Sequence, residues 1–165
     1  MEEVKVAKTR IQFSGKFDLN SYYKNLYGAL SGKGYDVEEG KYTHKTKPEG
    51  DKVEIEWTCT KRLDDYTRFK IFARTLITDL IKVQVQVDGV PASRHIGSVE
   101  LELTASVQKD FTNRWETSPL LKYFQRIYEN YIYKETLERL MNQLQAETDT
   151  VENEIKSLFN LHKKT

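Results

Sequence analysis

Val53-Glu54-Ile55-Glu56-Trp57-Thr58-Cys59-Thr60 is the stretch that decides the fold. Apolar and polar side chains alternate along it, the period of a strand with one dry and one wet face. Downstream the same period returns three times. Phe69, Ile71, Ala73 and Thr75 share a face within 66–76, opposite Tyr66, Arg68, Lys70, Phe72 and Arg74. Ile81, Val83, Val85 and Val87 alternate with Lys82, Gln84 and Gln86, and Val99, Leu101, Leu103, Ala105 and Val107 oppose Glu100, Glu102 and Thr104. Upstream, a weaker strand over 35–46 closes at the turn Pro48-Glu49-Gly50-Asp51, and Ile11 and Phe13 mark an edge-like first strand within 4–14. About six strands with short connections predict an antiparallel meander, covered by helices on one side.

Two segments carry the other period. Leu19, Tyr22, Tyr23, Leu26, Tyr27 and Leu30 form one apolar stripe at helical spacing, entered at Asp18 and left at Gly32 and Gly34. Ser118 and Pro119 open the last helix, with Leu120, Phe124, Ile127 and Tyr131 spaced four, three and four. After Ile132 the stripe moves. Leu137, Met141, Leu144, Thr148, Val151, Ile155 and Leu158 form a second four-three run, and at 100° per residue Leu137 lies about 120° from Tyr131.

Length sharpens the problem. Residues 118–161 as one helix run about 65 Å, against about 20 Å for a six-residue strand. The first stripe is assigned to the sheet, so Phe124 and Ile127 are expected in one core with Val53, Ile55, Trp57, Leu101 and Leu103. The second stripe then needs its own partner, a hairpin begun at Asp149-Thr150-Val151-Glu152 or a second chain. The expectation is an α+β domain over 1–134, with one helix after the first strand, and a helical extension over 135–165. Leu137, Met141, Leu144, Val151, Ile155 and Leu158 are its interaction residues.

Composition bounds the function classes. The 26 basic and 25 acidic residues leave a net charge of +1, so no global field favours nucleic acid or an anionic surface. A single cysteine, the absence of a signal-peptide pattern at the N-terminus and the lack of a long apolar run point to a cytoplasmic protein with no membrane span. Ten tyrosines, against seven phenylalanines, suit half-exposed surfaces.

The motifs that invite chemistry read as ordinary structure. Ser31-Gly32-Lys33-Gly34 follows a helix rather than a strand and is a helix cap, not a phosphate loop. His44, His95 and His162 lack metal-ligand spacing, although His95 beside Arg94 is the one candidate base or anion contact. Cys59 shares its face with Trp57 and Ile55 and reads as packing. The carboxylate pairs Asp64-Asp65, Glu54/Glu56 and Glu100/Glu102 read as turn or solvated-face residues. Arg68, Lys70, Phe72 and Arg74 mix cations with an aromatic, as nucleic-acid surfaces do, but also as protected strand edges do. No cofactor is implied and no catalytic constellation stands out.

The order strand, helix, run of strands, long C-terminal helix over about 1–134 resembles the helix-grip, START-like lipid and hormone binders. That resemblance implies a sheet curled around the final helix and a cavity for a small apolar ligand, walled by Trp57, Phe69, Leu103, Phe124, Tyr128 and Tyr131. The stretch from Arg114-Trp115-Glu116 to Tyr131-Ile132-Tyr133 also looks like segments of archaeal or viral proteins, which implies no function. Two readings follow. The first is a non-catalytic interaction or structural protein acting through its C-terminal helix, by self-association or with a protein partner. The second is a carrier of a small apolar ligand.

Overall fold

The alternating stretch lies in strand β3 (Asp51–Arg62), where Val53, Ile55, Trp57 and Cys59 are buried and the residues between them face the other side of the sheet. In the computed structural model, which describes residues 1–163, β3 belongs to a five-stranded antiparallel sheet. The remaining strands are β1 (Glu2–Phe17), β2 (Asp36–Lys45), β4 (Thr67–Val87) and β5 (Val90–Lys109), in the order β1-β5-β4-β3-β2. Helix α1 (Leu19–Ser31) follows β1. After β5 come a 3-10 turn (Trp115–Thr117), helix α2 (Pro119–Tyr128), a π turn (Glu129–Tyr133) and helix α3 (Lys134–Lys163). The fold is α+β, as the two periodicities require.

There are five strands rather than about six, because 66–76 and 81–87 are one strand. Thr78 pairs with Ser98 and Ile81 with Ile96, so Asp79 and Leu80 together oppose Gly97. This bulge, with Asp79 at φ 55, reads in sequence as a break. Two glycines make room for it. A Cβ on Gly97 would stand 3.1 Å from the Thr78 carbonyl oxygen, and one on Gly50 would meet the Asp79 backbone at 2.6 Å. Beyond the bulge β4 and β5 continue to the two-residue turn Asp88-Gly89, both at positive φ.

Long strands need a long helix. β4 and β5 have 21 and 20 residues, roughly 65–70 Å of chain, and α3 has 30, about 45 Å. The expected mismatch between helix and sheet came from assuming short strands. It is α3 that covers the sheet. Leu144, Val151, Ile155 and Phe159 are buried in the same core as Val53, Trp57, Phe69, Leu101 and Leu103. The second stripe is therefore the sheet-facing one, which corrects the expectation, and Phe124 and Ile127 lie outside the core. Residues 135–163 form the covering layer of a common core; Lys164 and Thr165 of the expected 135–165 segment lie outside the described residues.

The π turn accounts for the reversal. Its wider bonding adds about one residue to the turn, a phase step of about 100°. Gln125 and Tyr133, both buried, thereby come onto the same side as Leu140 and Leu144. Leu120, Phe124 and Ile127 end on nearly the opposite side of the helix. Only one stripe can meet the sheet, and the longer one does.

Candidate interaction surface

The connection from β5 to α2 is held by one buried acid. The Asp110 carboxylate accepts from the Trp115 backbone N–H at 3.1 and 3.3 Å, and its own N–H donates to the Tyr66 carbonyl at 2.7 Å. Ser118 then caps α2, its hydroxyl accepting from the Leu121 N–H at 3.1 Å, with Pro119 next.

The inner side of α2 is polar. The Glu129 carboxylate accepts from the Tyr66 hydroxyl at 2.5 Å and pairs with Lys109 Nζ at 3.1 Å; Lys109 also reaches Glu2 at 3.1 Å. Gln125 Nε2 donates to the Tyr66 oxygen at 3.0 Å, and Tyr133 bonds the Thr67 hydroxyl at 2.5 Å. Burial, together with the Glu129 carboxylate, pushes the Tyr66 phenol well above its ordinary range, so it stays a donor. Around it stand Trp115 and Tyr128, edge-on to Tyr66 at 6.2 and 5.7 Å and near-parallel to each other at 6.4 Å. With Asp65, Thr112 and Arg114 these rings line an open cleft of about 310 Å³.

The outer side is apolar. Tyr131 is 83% exposed, Ile132 66%, Leu120 64% and Tyr123 60%, with Phe124 and Ile127 also exposed. At roughly 150–200 Å² for a large apolar residue, the six offer on the order of 600 Å², the upper end of what a monomer normally shows. Along one margin, at spacings of four and eight, lie Lys122, Arg126 and Lys134, all exposed. The opposite margin is Tyr128 and the cleft.

The residues singled out in sequence divide differently. Leu144, Val151 and Ile155 are buried, and Leu137, Met141 and Leu158 pack against the core, so none of the six forms an open face. Of the six expected cavity walls, Trp57, Phe69 and Leu103 are buried in the core, Tyr128 is half-buried beside the cleft, and Phe124 and Tyr131 face solvent. The residues do not converge on one cavity. Between β1 and α3 the space is filled by Phe159, stacked on Phe13 at 4.5 Å and on Tyr22 at 5.6 Å.

The other candidates are engaged where they stand. Cys59 is buried, which pushes its thiol up to about 12 and keeps it protonated. Asp64 accepts from the Tyr66 and Thr67 N–H groups at 2.7 Å, while Asp65 pairs with Arg62. On the open side of the sheet, Glu54 pairs with Lys41 and Lys52, Glu100 and Glu102 with Arg10, Glu56 with Arg74, and Lys70 with Glu3. Those cations are matched by carboxylates, and Arg68 is bonded to Gln108. His44 contacts Asp51 at 2.8 Å, while His95 and His162 sit at the start of α1. Among the described residues no helix is long and apolar enough to cross a membrane.

Sequence reasoning placed Tyr123 off the core stripe, in need of a contact by interface or loop, but missed the outward role of Leu120 and Ile132. One signal was present. Gln125, Glu129, Tyr133 and Leu137 recur every four residues, a line that continues into the covering stripe and puts polar groups on the inner side.

No protein-family model matches this chain, and no curated protein matches it in sequence. The surface must be read from its own chemistry.

Proposed function

We propose that this protein is a non-catalytic interaction subunit that docks through the outward side of α2 and the π turn. One observation carries the reading: the capped helix α2 and the π turn place Gln125 and Glu129 on the inner side and six large apolar side chains on the outer side. Burying such a face against protein releases its hydration shell, and Tyr, Phe and Ile in one contiguous strip are the residue types that anchor interfaces. Covering it in an assembly offsets the apolar cost of leaving it open. A reducing compartment such as the cytoplasm suits the lone buried thiol.

The test is assembly size. A tagged full-length chain is recovered from its own cells and compared by sedimentation velocity with a Phe124→Asp/Ile127→Asp variant. Both positions are exposed, so the variant should fold. The wild type is expected in a larger species and the variant as a monomer. Identical sedimentation of the two, with the same co-recovered proteins, sinks the reading.

A further inference from the structure

We infer that the partner on α2 is an amphipathic helix of a different protein, with an apolar stripe edged by carboxylates. This rests on the docking reading above and adds the partner's charge. Lys122, Arg126 and Lys134 run beside the apolar strip, and among the described residues none of the three makes an ion pair. Lys122 and Arg126 share a depression with Glu2, Glu116 and Glu129, whose carboxylates are bonded to other groups: Glu116 to the α-amino group of Met1 while also feeling the Lys122 charge, Glu2 to Lys109, and Glu129 to Lys109 and Tyr66. Elsewhere on the sheet and on α3, cations such as Arg10, Lys33, Lys61, Arg74 and Lys156 do find carboxylates. The basic row borders the apolar strip of α2 and the π turn along its length.

A second copy does not complete this surface. An antiparallel two-fold brings like margins together, setting Lys122 and Arg126 against their own copies. A parallel pair sets the basic row against the cleft margin, whose rim holds Arg114 and an Asp65 already paired with Arg62. A flat anionic bilayer fits less well, because only one margin of the strip is basic and the other is the cleft between Trp115 and Tyr128. A helix with acidic residues on one edge and a bulky side chain on the other matches both margins.

The probes are two labelled helical peptides of about 18 residues with one shared apolar stripe, edged by Glu in one and by Lys in the other. Each is titrated against the full-length chain by fluorescence anisotropy. The Glu-edged peptide should bind at least about tenfold tighter, and the preference should vanish in a Lys122→Gln/Arg126→Gln/Lys134→Gln variant. Equal binding of both peptides by the wild type overturns the acidic partner while leaving the docking face intact. Binding of neither, with pelleting on phosphatidylserine vesicles, assigns the face to a membrane and overturns the proposal. Wild-type self-association that tightens in the triple variant assigns it to a second copy and likewise overturns the proposal.

Discussion

The Tyr66 hydroxyl donates to the Glu129 carboxylate at 2.5 Å, and that bond joins the start of β4 to the π turn. Glu129 also neutralises Lys109, whose side chain is 9% exposed. Losing the carboxylate leaves a buried ammonium with Glu2 alone. Glu129→Ala is expected to cost about 2–3 kcal/mol in chemical denaturation, toward the lower side of the penalty for breaking a buried pair because Glu2 remains. Adding Lys109→Met should recover most of that loss. A single variant as stable as wild type would show that α2 is not held by this network.

The two apolar stripes make opposite predictions. Leu144 is fully buried, so Leu144→Ala should cost about 2–5 kcal/mol by transfer and cavity terms. Ile127, at the solvent side, should change the isolated chain by no more than about 0.5 kcal/mol on the same truncation. Thermal or urea midpoints that rank the two the other way would return α2 to the sheet.

Gly50 sits at φ +136 with the Asp79 backbone where a Cβ would go. Gly50→Ala should therefore cost about 2–4 kcal/mol, from backbone strain and displacement of the β4 bulge. Gly28, in α1, has nothing within 4 Å of its Cβ position, and Gly28→Ala should gain up to about 1 kcal/mol from helix propensity. Equal midpoints for the two variants would contradict the bulge geometry.

The first turn of α1 predicts a pH dependence. His162 Nδ1 accepts from the Asp18 N–H and His95 Nδ1 from the Leu19 N–H, both at 3.3 Å, so both rings are neutral with Nδ1 bare. Burial lowers both imidazoles from the ordinary 6.5; Lys82 and His44 near His95, and Arg94 near His162, push the same way, while Asp18 opposes them. The unfolded chain therefore binds protons first as pH falls. Stability should be at its plateau above about pH 6.5 and decline progressively below it. A His95→Gln/His162→Gln variant should show a shallower decline between about pH 7.5 and 5.5; an unchanged slope removes the two rings from the account.

Much of the sheet was legible because period two leaves no choice of face: Val53, Ile55 and Trp57 could be buried only together. Strand length was not legible, since the Asp79 bulge interrupts alternation without ending the pairing. Which helical stripe meets the sheet was the larger loss. Two stripes, Leu120 to Tyr131 and Leu137 to Leu158, compete for one sheet, and their relative phase was read with a constant turn. The π turn breaks that assumption at Glu129–Tyr133. The network of the buried Gln125 and the half-buried Glu129 was also invisible. Polar residues on a helix are read as solvent-facing until their partners, here Tyr66 and Lys109, are known.

The passage from α2 through the π turn into α3 is unbroken helix, and this gives the molecule a direction of mechanical strength. A pull on α2 directed along the helix is carried into α3. Leu144, Val151, Ile155 and Phe159, spread along that axis, are then loaded together in shear instead of being peeled away one at a time. The β4–β5 ribbon offers no such resistance: drawn apart at its open end, where Thr67 faces Lys109, its rungs break singly, like a zip. Tension along this continuous helix is the load the architecture is best shaped to bear.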